Sequence, residues 1–330
     1  MKKILGAASA LLMTSALLTG CATSNNSSGG SGGGGNTAKV KVVTSTDVYA
    51  DLVKQVGGDN VDVHAFVSST ATDPHSYEAS ASDKLQIKDA KLAVVNGGGY
   101  DYFLEKDAGQ NNQKVVNAVK TSGKLSDSDY DHLIEHHSGG EGHDHGSEAE
   151  EGGGHEHAHE FNEHLWYDFD TVKKVTNKIA DDLAEIDSSH ADQYRENAKK
   201  LTGEIDSLEQ SAKKINGKGK KYIATEPVPD YLISSTGAEN STPAEFAEAV
   251  EEGKDVPAIT LQETKDLVTE KKVNLVAYNS QTETSQTKEV LQSAKDSGVA
   301  NVSFTETLPE NTKYVDWMKS NVSNLEKALS

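Results

Sequence analysis

The chain has 330 residues, of which 52 are acidic and 32 are basic, so its formal net charge is −20. An acidic chain with Arg195 as its only arginine argues against a nucleic-acid partner and against docking on anionic lipid, and it is compatible with attraction of cations. Because Cys21 is the only cysteine, a disulfide within the chain and a thiolate zinc cluster are both excluded.

The N-terminal residues have the pattern of an export signal. Lys2 and Lys3 precede an apolar run that is too short to span a membrane, which predicts a signal peptide over residues 1–20. The sequence Leu18-Thr19-Gly20-Cys21 resembles the lipobox of bacterial lipoproteins, whose cysteine is acylated after cleavage. Residues 21–37 are rich in Ser, Gly and Asn, which predicts a flexible tether. We therefore expect an extracytoplasmic protein anchored to the cell membrane by lipid on Cys21, on the periplasmic side if the host has an outer membrane.

Strands alternate with helical stretches in the part of the chain that follows the tether. The pattern predicts strands at 39–43, 61–67 and 91–96 and a helix around 49–56. Thr44-Ser45-Thr46 is expected to end the first strand, and Gly97-Gly98-Gly99 the third. This alternation is typical of βαβ units and a parallel sheet.

A histidine-rich segment interrupts the pattern as a long loop at 132–160. Nine of the twelve histidines fall between 132 and 164, interleaved with acidic residues. Neutral imidazole and carboxylate are ligands for divalent transition metals, and such a tract can bind metal while disordered. The predicted accessory metal-binding residues are His132, His136, His137, His143, His145, His155, His157 and His159. His155 and His159 also match the zinc-protease pattern His-Glu-x-x-His, but the preceding glycines and the absence of an apolar stripe argue against the helix that this chemistry needs.

A long amphipathic helix and a second α/β block follow. Apolar or aromatic residues recur at alternating steps of three and four between Ala191 and Ile215, and Gly217 is expected to cap the helix. Beyond it the pattern predicts strands at 221–224, 273–278 and 299–304 and a closing helix at 314–329.

Two short motifs place histidine at defined positions. Asp73-Pro74-His75-Ser76-Tyr77-Glu78 follows a predicted strand, and the proline holds Asp73 extended, so His75 lies on a restrained loop. Together with the closing Val94-Val95-Asn96-Gly97-Gly98, this motif closely resembles the metal-binding receptors of bacterial ABC importers for zinc and manganese. His164-Leu165-Trp166-Tyr167-Asp168 resembles the second motif of that family, and the histidine-rich insert is a feature of its zinc members.

The resemblance implies a fold and a function. The implied fold class is α/β, with two lobes, each a parallel-type sheet flanked by helices, joined by one long connecting α-helix. The expected regions are the signal peptide, the tether, an N-terminal metal-binding lobe at 38–166, a helical region at 167–217 and a C-terminal metal-binding lobe at 218–330. The implied role is a monomeric receptor that captures a divalent metal between the lobes and delivers it to an ABC permease, without catalysing a reaction.

The resemblance also implies a ligand set. His75 and His164 match the two ligands of the first lobe, and Glu226 takes the place of the third, which is histidine in typical zinc receptors and glutamate in many manganese receptors. Glu306 is the best match for a fourth ligand that is usually aspartate, with Asn279 and Gln281 as alternatives. The histidine-rich insert favours Zn²⁺, and Glu226 favours the alternative, Mn²⁺. A surface metal buffer or adhesin and a secreted metallohydrolase remain the rival functions, although four protein ligands would leave no open position for catalysis.

Overall fold

A computed structural model describes residues 38–72, 74, 77–138 and 161–330, excluding the side chains of 135–138. Several predicted features lie outside these residues, namely the signal peptide, the tether with Cys21, His75 and most of the accessory histidines. The accessory histidines outside the described residues or side chains are His136, His137, His143, His145, His155, His157 and His159. Residues Ala38–Ser330 form one compact unit. No helix in the described ranges is both long and apolar enough to cross a membrane.

Two four-stranded sheets, both wholly parallel, organise this unit. The first sheet has the order β2-β1-β3-β4 and the second the order β6-β5-β7-β8, so the two sheets share one connectivity. The strands are β1 (Val40–Thr46), β2 (Val61–Val67), β3 (Leu92–Val95), β4 (Lys114–Asn117), β5 (Lys221–Ala224), β6 (Glu239–Asn240), β7 (Leu275–Asn279) and β8 (Ala300–Phe304).

Helices connect the strands within each sheet and join one sheet to the other. The first sheet is followed by α6 and α7, which pack against each other before the chain enters β5. The helices are α1 (Asp47–Gly57), α2 (Ala81–Asp89), α3 (Tyr102–Glu105), α4 (Ala118–Ser122), α5 (Asp127–Ser138), α6 (Phe169–Ile186), α7 (Ala191–Ala212), α8 (Asp230–Ser234), α9 (Ala244–Glu251), α10 (Ala258–Thr269), α11 (Ser285–Ser297) and α12 (Tyr314–Ala328).

Alternation along the central strands divides the core into three clusters. In β1, Val42 faces the largest cluster and Val43 faces a smaller one under α2 and α3. In β5, Tyr222 faces the same large cluster, whereas Ile223 faces a third cluster under α9, α10 and α11. Successive strand residues point to opposite faces, so each sheet is covered on both sides. The large cluster runs through both sheets and the helices between them, which makes the two lobes parts of one packed body.

The long helix forms as its spacing predicts. Tyr194, Ala198, Leu201, Ile205 and Leu208 are all buried on one face of α7, which packs on α1, α6 and α12. The expectation that Gly217 caps this helix is wrong, because α7 ends at Ala212 with Lys213 as its C-cap. Gly217 instead packs closely on Thr236: a β-carbon there would lie 2.2 Å from the Thr236 hydroxyl oxygen.

The fold class expected from the sequence is confirmed: two parallel-sheet lobes flanked by helices, with a long helix between them. Several boundaries differ from those predicted. Residues 132–138, expected at the start of the histidine-rich loop, belong instead to helix α5. Thr44-Ser45-Thr46 continues β1 instead of ending it, since Thr44 and Thr46 pair with Ala65 and Val67 of β2. The edge strands β4 and β6 have no counterpart among the predicted elements.

Candidate metal centre

The candidate site lies where the carboxyl ends of the strands of one sheet meet those of the other. Tyr100 follows β3 of the first sheet, and its hydroxyl donates to Glu306 Oε2, beyond β8 of the second sheet, at 3.0 Å. Gln281 follows β7, and its amide nitrogen donates to the Thr72 carbonyl, beyond β2, at 3.2 Å. Ligands of open parallel sheets bind at this edge, so the arrangement puts a binding cleft between the lobes.

A glycine-rich turn directs Tyr100 into the cleft. Gly97, Gly98 and Gly99 all have positive φ, which side-chain-bearing residues rarely adopt. The buried carboxylate of Asp101 accepts from the Asn96 and Gly97 amides at 2.6 and 2.9 Å and so fixes the turn. Burial raises the pKa of the Asp101 carboxyl, and the two amide donors oppose that rise.

Tyr100 is a buried hydrogen-bond donor beside the carboxylate. Burial, and next the charge of Glu306, raise the pKa of the Tyr100 phenol well above its ordinary value. The hydroxyl therefore keeps its proton at neutral pH and donates it to Glu306. The ring also stacks at an angle on Trp166, with centroids 5.0 Å apart, which leaves the phenol little freedom to move.

His164 is fully buried against aromatic side chains. Its ring meets Trp166 edge-on at 5.3 Å and Tyr100 at 6.1 Å, and it is 1% exposed. Nδ1 lies 2.9 Å from Asn162 Oδ1, and Nε2 lies 3.8 Å from Glu306 Oε2. The second ring nitrogen therefore points across the cleft at a carboxylate of the other lobe.

Two buried glutamates share one amide donor in the second lobe. Glu226 follows β5 and Glu306 follows β8, and both are buried. Asn279, at the end of β7, donates its side-chain N–H groups to Glu226 Oε2 and, at 2.9 Å, to Glu306 Oε1. Parallel strands β5, β7 and β8 are hydrogen-bonded neighbours, which is why residues distant in sequence converge here.

Gln281 holds the segment that carries Glu306. Its side-chain oxygen accepts from the backbone amides of Glu306 and Thr307, the latter at 3.0 Å. Asn279 Oδ1 accepts from the backbone N–H of Gln281 at 3.0 Å. In this arrangement the amide groups of Asn279 and Gln281 support the two glutamates.

The structure thus places three of the four predicted ligands at the cleft, with His164 on the side of the first lobe and Glu226 and Glu306 on the side of the second. The fourth, His75, lies outside the described residues. Within the described ranges, no group of three or more His, Cys, Asp or Glu side chains already has the spacing that would hold a metal ion. Among the accessory histidines, His132 is exposed on α5.

Neither Tyr100 nor the linking role of Asn162 was predicted from the sequence. Nothing in the local sequence marks Tyr100, except that three glycines precede it. Asn162 stands two residues before His164, where its short side chain can reach both the backbone N–H and the ring of that histidine.

Comparison with known proteins agrees with this architecture. Residues 42–328 match the family described as zinc-uptake complex component A, periplasmic. The chain is 27% identical over 305 residues to the manganese ABC transporter substrate-binding lipoprotein PsaA of Streptococcus anginosus, which covers 88% of this chain and 90% of that protein. It is 26% identical over 202 residues to the zinc-binding lipoprotein AdcA of Streptococcus pneumoniae strain R6, which covers 60% of this chain and 38% of that protein.

A solved structure shows the same fold. The periplasmic zinc-binding protein TroA from Treponema pallidum aligns with a TM-score of 0.67 at 17% identity, covering 89% of this chain and all of that one. Two parallel-sheet lobes with a buried polar cleft between them define the class of two-lobed substrate-binding proteins. The chain belongs to the zinc-uptake complex component A family, whose relatives include both manganese and zinc ABC transporter lipoproteins. The resemblance drawn from the two histidine motifs is confirmed.

Proposed function

We propose that the chain captures a divalent metal ion, with zinc as the favoured cargo, and delivers it to the permease of an ABC importer. The observation that carries the proposal is the convergence of buried His164, Glu226 and Glu306 at the facing edges of the two sheets. His75 would complete the ligand set from the first lobe. Two anionic ligands neutralise a divalent ion, which limits the cost of removing it from water.

The site favours binding over catalysis. Four protein ligands form a closed coordination shell, whereas catalytic metal sites keep a position for water or substrate. We propose accordingly that the chain is a monomeric receptor with no reaction of its own, held outside the cytoplasm by lipid on Cys21. A surface metal buffer or adhesin would bind metal without supporting its transport, so metal-dependent uptake in cells lacking the protein separates these roles.

Manganese is the second candidate cargo. Glu226 is a hard oxygen ligand, and the manganese lipoprotein PsaA is a relative over most of the chain. Zinc is favoured because imidazole suits zinc, and a histidine-rich insert would contribute little to manganese binding. Affinity order alone does not decide the matter, since a nitrogen and oxygen site generally binds zinc more tightly.

Metal titration of the stripped protein tests the proposal. We expect one tight equivalent of zinc in the wild type and a loss of at least tenfold in affinity in His75→Ala, His164→Ala and Glu226→Ala, measured by chelator competition. His64→Ala and Glu263→Ala are matched controls, because both side chains are exposed, on β2 and α10. Ligand variants that bind zinc as tightly as these controls would refute the quartet.

A further inference from the structure

The side-chain amide of Asn162 lies between groups whose hydrogen-bonding roles are fixed. The His164 backbone N–H, which can only donate, lies 3.0 Å from Asn162 Oδ1. The Pro227 carbonyl, which can only accept, lies 2.8 Å from Asn162 Nδ2. These two neighbours settle the orientation of the amide, with its oxygen towards His164 and its nitrogen towards Pro227.

This orientation determines the tautomer of His164. Asn162 Oδ1 is an acceptor only, and it lies 2.9 Å from His164 Nδ1. Nδ1 must therefore carry the proton of the neutral ring, which leaves the lone pair on Nε2. Nε2 is the nitrogen that points at Glu306, so the tautomer is the one that can bind a metal in the cleft.

The same residue also links the two lobes. Pro227 directly follows Glu226, so the Asn162 amide ties the first-lobe segment carrying one ligand to the second-lobe segment carrying another. A second bond connects the same segments, because the Tyr231 hydroxyl donates to the Asn162 carbonyl at 2.7 Å. That bond involves the backbone of Asn162 and does not touch the imidazole.

We propose that Asn162 is a positioning residue for metal capture: it fixes the tautomer of His164 that carries its proton on Nδ1 and its lone pair on Nε2. The inference rests on the proposed function, because it assigns a partner to one of the proposed ligands. Residues that orient a metal-binding histidine commonly change metal affinity by about 10- to 100-fold when removed.

The experiment compares three variants of the full chain. Asn162→Ala removes the acceptor, and we expect zinc affinity to fall about 10- to 100-fold, by chelator competition. Asn162→Asp keeps an oxygen facing Nδ1 but loses the N–H that donates to the Pro227 carbonyl, so we expect it to recover part of that loss. Tyr231→Phe is the matched control, since it removes a bond between the same segments without touching His164, and its affinity should stay within about twofold of wild type.

Nitrogen-15 NMR of the metal-free protein at mildly alkaline pH gives a readout that a structural role would not move. We expect His164 to be protonated at Nδ1 in the wild type, in Asn162→Asp and in Tyr231→Phe, and to show mixed tautomers in Asn162→Ala. In a His164→Ala background, Asn162→Ala should cost little further affinity. An unchanged tautomer in Asn162→Ala, or equal affinity losses in Asn162→Ala and Tyr231→Phe, would overturn the proposal.

These outcomes are distinct from failure of the proposed function. A wild-type protein with no tight zinc site would refute metal capture, whereas the tautomer is measured without metal. Tight wild-type binding that depends on His164 but not on Asn162 would retain the receptor and remove this inference.

Discussion

Asn279 is the residue on which the two buried glutamates of the cleft depend together. Its amide donates to Glu226 and to Glu306, and the Tyr100 hydroxyl is a further donor to Glu306. Two carboxylates this close repel each other, and burial strengthens the repulsion. The amide between them therefore stabilises the second-lobe half of the site.

Replacing Asn279 by leucine should destabilise the metal-free protein. The change keeps the approximate volume but removes the donor shared by two buried carboxylates, so we expect a loss of about 3 kcal/mol in the free energy of unfolding. Urea denaturation measures it. Added zinc should reduce the difference in unfolding free energy between this variant and wild type, because a bound cation neutralises both carboxylates. Asn301→Leu, at an exposed position on β8, is the control, and equal losses in the two variants would contradict this role.

At the scale of elements, α1 contacts the second lobe through its acidic face. Asp47 accepts from the Leu308 amide at 3.0 Å, and Asp51 accepts from the Tyr314 amide at 2.8 Å. Both carboxylates belong to the first lobe, whereas Leu308 lies between β8 and α12 and Tyr314 is the first residue of α12. Burial raises the pKa of Asp47 to about 6, and the Leu308 amide opposes the rise.

The raised pKa of Asp47 predicts a pH dependence of stability. A carboxyl whose folded pKa exceeds its ordinary value of 3.8 contributes stability that is complete below that value and is lost as pH rises through about 6. Asp47→Asn keeps an acceptor for Leu308 and cannot ionise, so its stability relative to wild type should grow by about 1 to 3 kcal/mol between pH 4 and 7. Urea denaturation across this range tests it, with Asp59→Asn, exposed beyond α1, expected to parallel wild type. If the stability of Asp47→Asn relative to wild type did not change between pH 4 and 7, the raised pKa of Asp47 would be contradicted.

Elements with a strong local pattern were predictable from the sequence, and short or edge elements were not. The α7 stripe repeats over three heptads, and β2 and β5 occupy the residues predicted for them. By contrast, β6 has two residues, too few for alternation, and β4 has only two apolar residues, Val115 and Val116. Gly217 was misread because its close contact with Thr236 is tertiary and leaves no local signal.

The candidate site was predictable only where a motif names its residues. His164 and Glu226 follow from family motifs, and both lie at the cleft. The shared donor Asn279, the cross-lobe phenol of Tyr100 and the bond from Asn162 to Pro227 depend on which segments are neighbours in the fold. Strand order in a parallel sheet is a property of the whole fold, so spacing along the chain does not reveal it.

At the scale of the whole molecule, one apolar cluster unites both lobes with α6 and α7. The packed core therefore supports the metal site proposed between the lobes. The histidine-rich segment, which first suggested a metal, is not needed to form that site. Of the nine histidines between 132 and 164, His164 alone belongs to the proposed quartet. The others are expected to add weaker equivalents outside the cleft.

We propose that the cleft between the lobes, and not the histidine-rich segment, holds the tightly bound metal. Zinc titration of the stripped protein with residues 135–160 deleted tests it most directly, beside the intact chain. We expect the deletion to remove the weaker equivalents and to leave one tight site, which His164→Ala then abolishes. Loss of the tight site on deletion alone, with the fold intact by circular dichroism, would contradict it.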